Sequence, residues 1–312
     1  MYDTIFLKYC STDKAVDYRE QTAKYLDANS VSWHRYGGVE IVSGGVGRLK
    51  VLASRNKVKI NGGSLCKWQL GDNYQEMGRK DTQRAIERLS DILHLPLADA
   101  VVTRMDVGLS IEIKHPPKVY MNHLGEYGKS IRLEQPNSVY YRMSKEELCF
   151  YDKRKETLEK GEDVPDLFVN SNVLRYEQRY KKSVGKAFGR DVVTASLLYD
   201  EEFYISVLDR WANTYDAIEK INDITINLDL MKGVKGLNRM GILSLVEKFG
   251  GELALLKQID EQQLCGKITP KQAFDLRKAI KNACNTQDDM VTKSEVITEL
   301  DAKIKDAIRY YR

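Results

Sequence analysis

Three short segments alternate polar and apolar residues, and together they constrain the fold more than anything else in the chain. They are Val102–Ile113, Leu148–Glu156 and Val173–Tyr180. In an extended strand, successive side chains leave on opposite faces. The first segment therefore sets Met105, Val107, Leu109, Ile111 and Ile113 on an apolar face, and Arg104, Asp106, Gly108, Ser110 and Glu112 on the other. The third sets Arg175, Glu177 and Arg179 against Leu174, Tyr176 and Tyr180. Read as a strand throughout, the second aligns Cys149, Tyr151 and Lys153 opposite Leu148, Phe150 and Asp152. A sheet that collects all three buries one face and shows two carboxylates, a tyrosine and a lysine on the other. Nothing else in the chain looks catalytic.

Around these segments the pattern predicts an α+β fold with a mainly antiparallel sheet and flanking helices. Glycine- and asparagine-bearing turns at Ser43-Gly-Gly and Asn61-Gly-Gly break the region from 38 to 60 into a meander. A helix capped by Asp81 buries Ala85, Ile86, Leu89, Ile92 and Leu93 and stops before Pro96. Another is expected from Lys14 to Leu26, and a third carries Leu197 to Leu208. Beyond about residue 225 helical periodicity takes over. Gly250-Gly251 is a C-cap signal, Thr269-Pro270 an N-cap with proline at the first helical position, and Ser294–Tyr311 a final helix. The expected domains are a catalytic core over 1–222 and a helical C-terminal extension over 223–312, for DNA binding or homodimer contact. No repeat of solenoid period is present.

Composition narrows the classes. With 312 residues, 42% hydrophobic and 30% charged, the chain reads as globular, and no apolar run is long enough to span a bilayer. The N-terminal stretch lacks a signal-peptide core, so the expected location is the cytoplasm, with no membrane partner. Five scattered cysteines without a Cys-x-x-Cys argue for reduced thiols. A net charge of +4 permits a nucleic-acid partner without demanding one.

The polar face carries the inventory for metal-assisted nucleophilic attack on a phosphate. A phosphodiester is anionic, so an attacking oxygen needs charge neutralisation, which a divalent cation supplies. Mg²⁺ and Mn²⁺ take carboxylate oxygens, one or two from the protein, and Asp106 with Glu177 supplies two if their strands are neighbours. Glu112 shares the face of Asp106 but lies roughly 20 Å along an extended strand, too far to join. A phenol is a weak nucleophile at neutral pH. Lys153, two residues from Tyr151, is placed to assist it or to bind the phosphate. The bland alternatives are a half-buried aromatic for Tyr151, and cross-strand salt bridges of Asp106 and Glu177 with Arg104, Arg175 or Arg179.

The ordered motifs Arg104-Met-Asp106, Tyr151-Asp-Lys153-Arg-Lys-Glu156 and Leu174-Arg175-Tyr-Glu177-Gln-Arg179 resemble those of gene II-type phage and plasmid rolling-circle replication initiators. The trans-acting initiators of small Gram-positive plasmids are their more distant relatives. Gly63–Asn73, followed by a helix and the Asp106 strand, adds to the likeness, which covers roughly 60 to 210.

The resemblance implies a nickase of origin DNA. Tyr151 becomes linked to the 5′-phosphate, and a 3′-OH is left for a host polymerase working with a host helicase. Asp106 and Glu177 fall at the acidic positions expected to hold Mg²⁺ or Mn²⁺, and Lys153 and Glu156 at the other charged positions of the tyrosine motif. Arg104, Arg154, Lys155, Arg175 and Arg179 are the candidate DNA contacts. Better-known rolling-circle enzymes bind metal through a His-hydrophobic-His triplet. None of the four histidines forms one, which favours a carboxylate-dependent branch. A conjugative relaxase and a non-catalytic origin-binding protein or repressor are the rival functions.

Overall fold

The computed structural model describes residues 1–11, 16–226, 229, 232–286 and 290–312. The chain divides into two compact units. Met1–Lys118, Gly128–Ala217 and Ile304–Arg312 form the first, and Val119–Tyr127 with Ile218–Lys303 the second. The fold is α+β.

The first unit is built on an antiparallel sheet of ten strands. In chain order these are β1 (Tyr2–Cys10), β2 (Ser32–Tyr36), β3 (Val39–Val46), β4 (Leu49–Ser54), β5 (Lys57–Gly62), β6 (Val101–Ile113), β7 (Ile131–Gln135), β8 (Ser138–Arg142), β9 (Glu146–Asp152) and β10 (Asn172–Tyr180). Across the sheet they run β2-β3-β4-β5-β1-β6-β10-β9-β8-β7. This order is one winding used twice. A first strand (β1 or β6) leads through a helix into a four-stranded meander, whose last strand (β5 or β10) returns to pair with the first. The two first strands lie side by side at the centre, antiparallel. The sequence shows no repeat because only the backbone path is duplicated.

Among the described residues up to 217, four short helices and two longer ones accompany the strands: α1 (Tyr18–Ala23), α2 (Leu65–Leu70), α3 (Arg79–Leu93), α4 (Pro117–Asn122), α5 (Lys153–Glu159) and, after a single turn α6 (Val184–Ala187), α7 (Glu201–Asp216). The helix expected from Lys14 to Leu26 is shorter: it starts after Asp17, which caps it, and closes at Ala23 with Lys24 as its C-cap, while residues 14 and 15 lie outside the described residues. In α3 the cap differs from expectation. Gly78 is the N-cap, and Asp81 sits three residues in, where its carboxylate accepts from the Gly78 backbone N–H at 3.3 Å. The apolar stripe of α3 is buried at Ala85, Ile86, Leu89 and Leu93, and the helix ends at His94, two residues before Pro96.

The apolar faces of the three key strands make the core. Met105, Val107, Leu109, Ile111 and Ile113 are all buried. Tyr176 stacks between Phe150 (ring centroids 4.4 Å apart) and Trp211 of α7 (4.6 Å), and its hydroxyl donates to the Trp211 carbonyl at 3.1 Å. Truncating any one of these rings costs about 3–5 kcal/mol. The stack pins the back of β9 and β10 and leaves their other side to the polar residues. Tyr176 and Tyr180 therefore belong to the core.

The second unit is helical: α8 (Gly233–Lys248), α9 (Glu252–Leu264) and α10 (Pro270–Asn285), with a two-stranded ribbon of β11 (Asp223–Ile224) and β12 (Val291–Thr292). Thr269 caps α10 as its sequence predicts, accepting from Gln272 N–H at 3.2 Å. Met240, Leu243, Val246, Leu256, Ile280 and Val291 are among the residues that close its core. The last helix, α11, runs Glu295–Tyr311. No helix among the described residues is long and apolar enough to cross a membrane. The five cysteines are free; Cys66, Cys149 and Cys284 are buried, and Cys10 and Cys265 exposed.

One buried acid in this unit sets a pH dependence. Glu252 opens α9 and is 4% exposed. Burial pushes its carboxyl up to about 7; Glu219 and Glu126 add to this, against Lys281 and a hydrogen bond with Cys284. The native state thus keeps a proton that the unfolded chain releases near 4.5. That contribution is complete below 4.5 and is lost as pH rises through 7, so the second unit weakens between the two values. Glu252→Gln is expected to add up to roughly 3 kcal/mol at about pH 8 and to flatten the profile. Urea melts at about pH 5 and about pH 8 check this; equal gains at both would contradict it.

Candidate active site

The three alternating segments become β6, β9 and β10, and β10 lies between the other two. In register, Glu177 stands opposite Gly108 on β6 and Cys149 on β9, Arg179 opposite Asp106, and Arg175 opposite Tyr151. Asp106, Glu177 and Tyr151 therefore come together on one face.

Glu177 is the hub. The Tyr151 hydroxyl donates to its Oε1 at 2.7 Å, Arg175 Nε donates to the same oxygen at 2.8 Å, and Arg179 grips Oε2 through Nε (2.9 Å) and Nη2 (2.7 Å). Asp106 is held in the same way by Arg104, through Nε at 2.9 Å and Nη2 at 2.7 Å. Each carboxylate is forked by an arginine two residues away on its own strand, not by a cross-strand partner.

Arg175 is 1% exposed, and its remaining nitrogens reach the Asn73 carbonyl (2.7 Å), Ser110 Oγ (2.9 Å) and Asp3 (3.2 Å). With every nitrogen engaged, Arg175 belongs to the frame and is not a surface DNA contact. Of the other cationic candidates, Arg104 and Arg179 are half-buried beside the carboxylates, while Arg154 and Lys155 are exposed on α5.

Lys153 departs from expectation. The strand stops at Asp152, whose side chain accepts from the Lys155 N–H at 3.0 Å and starts α5, so Lys153 is the first residue of a helix. It is fully buried nonetheless. Its ammonium donates to Glu156 at 2.8 Å and lies 5.3 Å over the Tyr74 ring. Glu112, set aside on distance, accepts instead from Ser171.

The electrostatics are lopsided. Burial pushes the Tyr151 phenol well above its ordinary value, and the charge on Glu177 adds to this. Burial also raises Glu177, but Arg179 and Arg175 outweigh it and hold the carboxyl far below the usual range. Asp106 goes the other way: burial lifts its carboxyl to about 6 even beside Arg104. Burial lowers Lys153, and Arg175 lowers it further.

Two clefts meet at Tyr151. One, of about 300 Å³, is lined by Asp3, Lys67, Arg104, Asp106, Glu177 and Arg179 among others. The other, of about 360 Å³, lies toward Asn137, Ser138, Tyr140 and Glu159. Tyr151, Glu156, Lys160 and Arg179 border both. Among the described residues no group of three or more histidine, cysteine, aspartate or glutamate side chains is clustered closely enough to hold a metal.

Three parts of the site escape sequence reasoning. Asp3 is brought in by β1, which pairs with β6 from a distant part of the chain. Lys67 enters on α2 and pairs with Glu162. Gly108 is the third. A Cβ there would sit 2.7 Å from Glu177 Cγ and 3.1 Å from the Tyr176 carbonyl, so the bare backbone makes room for the hub. Its place on the polar face two residues past Asp106 is the available signal. Gly108→Ala is expected to cost about 1–3 kcal/mol and to push Glu177 off Tyr151. A denaturant titration reads the first effect, and a Tyr151 hydroxyl that keeps its bond in a variant crystal structure would contradict the second.

A search of curated proteins finds no match. Residues 1–206 match the family model for the N-terminal region of the phage gene II replication-associated protein. The chain belongs to this family of phage rolling-circle replication initiators.

Proposed function

We propose that this initiator nicks and rejoins one strand of origin DNA through a covalent link to Tyr151. The phenol oxygen attacks the phosphorus of a phosphodiester, forming the Tyr151 O–P bond as the P–O3′ bond breaks. The protein then carries the 5′-phosphate, and the 3′ oxygen takes up a proton in place of the one the phenol releases and becomes the primer end. Attack by a 3′-OH on the tyrosyl phosphate reverses these steps and joins the strand. The observation that carries the reading is the 2.7 Å hydrogen bond from Tyr151 to Glu177 at the junction of two clefts.

Each neighbour has a part. Glu177 aims the phenol oxygen. Held so far ionised by two arginines, it is a weak base, and its task is orientation more than proton removal. Arg104 and Arg179, half-buried on the cleft wall, face the place where the phosphate's charge must sit. Burial excludes water that would compete for the phosphotyrosine.

A Mg²⁺ or Mn²⁺ ion belongs to this reading. The cleft offers hard oxygen donors, which these ions prefer, in the small number they usually take from protein. Asp106 fits best, because its buried carboxyl has a single arginine and is still short of positive charge. Both acids have both oxygens engaged, so Asp106 would join once the Arg104 fork opened, and Glu177 once the Arg179 fork did. The ion would neutralise the scissile phosphate.

Supercoiled origin DNA incubated with the protein and Mn²⁺ tests the proposal. The expected product is a nicked circle whose 5′ end carries protein through SDS. A nick with a free 5′-phosphate would overturn the covalent mechanism.

A further inference from the structure

The face that carries Tyr151 continues across β1 and onto the first half of the sheet, where it holds four lysines that the nicking chemistry does not use. We propose that this face is the seat of a single DNA strand flanking the scissile phosphate, with Lys8, Lys50, Lys57 and Lys59 on its phosphates. The proposal rests on the initiator reading and extends it to where the substrate lies.

Register sets the path. Arg104, which holds Asp106, stands opposite Phe6 on β1 and lies 5.1 Å over its ring. Lys8 follows two residues on and faces Lys59 on β5 directly. Lys59 faces Leu52 on β4, and Lys50 lies two residues from Leu52 on the same face. Lys57 stands between Cys10 and Ser54. At about 3.3 Å per residue and 4.8 Å per strand, the cluster starts roughly 10–15 Å from Asp106, within a few nucleotides of the cut.

Three observations point to an anionic chain. First, Lys8 and Lys59 are cross-strand neighbours of like charge, an arrangement that destabilises a sheet and that nothing else about this one requires. Second, among the described residues none of the four lysines has a carboxylate within ion-pair distance, unlike the arginines of the active site. Third, from Phe6 onward, β1 and β2–β5 turn no acidic side chain to this face; Glu40 points to the other, opposite Arg35. Phe6 on β1 and Leu52 on β4 lie among the cations, and apolar side chains beside charge suit an unpaired strand, whose bases need apolar support while its backbone needs charge.

The test uses the full chain with Lys8, Lys50, Lys57 and Lys59 all changed to glutamine. Binding of a fluorescein-labelled oligothymidylate of about 20 nucleotides is followed by anisotropy across a salt series without divalent metal. Affinity is expected to fall about tenfold or more, with the slope of log K against log salt shallower by about 0.7 for each phosphate no longer neutralised. The four lysine-to-arginine changes should restore both. Unchanged affinity and slope would overturn the proposal, and so would a loss confined to a duplex of the same length. Melting temperature checks folding, and removal of the Lys8–Lys59 opposition should leave it equal or higher. No step needs cleavage, so the track can fail while the Tyr151 mechanism stands, and the reverse.

Discussion

Tyr151→Phe is expected to abolish strand cleavage, by a factor on the order of a thousand or more, and to leave DNA binding intact. The substitution removes one oxygen and keeps the ring, so packing on β9 is preserved. Glu177 loses the donor at 2.7 Å but retains Arg175 and Arg179, so the buried carboxylate stays paired. The stability cost is then that of one hydrogen bond to a charged group, about 1–3 kcal/mol. Nicking of supercoiled origin DNA in Mn²⁺ measures the activity and filter binding the affinity. A phenylalanine variant that still cuts would move the nucleophile elsewhere. Loss of binding together with cutting would make Tyr151 a substrate contact instead.

Arg175→Ala is expected to do the most damage to the fold. The side chain is buried and ties β10 to its surroundings, bonding Glu177 on β10, Ser110 on β6 and the Asn73 carbonyl, and pairing with Asp3 on β1. Its removal takes the guanidinium from buried Asp3 and one of two arginines from Glu177, and leaves a cavity beside them. Breaking a buried ion pair from one side costs about 3–5 kcal/mol, which is roughly 10–15 °C of melting temperature for a unit of this size. Arg175→Lys should recover only part of this, because an ammonium cannot fork between Glu177 and Asp3. Calorimetry reads both variants, and an alanine variant that melts within a few degrees of the parent would contradict the frame role.

The polar and apolar faces of β6 and β10 are legible in the sequence because alternation is a local property. Met105 and Tyr176 are buried on one side, and Asp106 and Glu177 meet on the other, as the spacing of two demands. That β10 should lie between β6 and β9 is not legible, since pairing between strands far apart in the chain leaves no local trace. Lys153 misleads for a local reason. Asp152 can extend a strand or cap a helix, and the helix-forming run Lys-Arg-Lys-Glu behind it decides for the cap. Asp81 shows the same ambiguity one turn later, as a residue that reaches back to the cap instead of being it. Asp3 is out of reach altogether, because only the central pairing of β1 with β6 brings it to Arg175. Pairing of both acids with arginine is the bland alternative to metal ligation that the sequence allows, but it is expected across strands. The structure shows the arginine forks running along strands, two residues apart, which leaves Asp106 the less saturated of the two acids.

The most direct measurement is the mass of the tyrosyl peptide from the covalent complex. Protein incubated with origin DNA and Mn²⁺ is denatured, trimmed with nuclease and digested with trypsin. Cleavage after Lys145 and Lys153 releases Glu146–Lys153, in which Tyr151 is the one tyrosine. The expected result is this peptide shifted by the mass of a 5′-phosphorylated nucleotide remnant on Tyr151. An unmodified Glu146–Lys153 peptide, with the remnant on another tyrosine such as Tyr140 or on none, would contradict it.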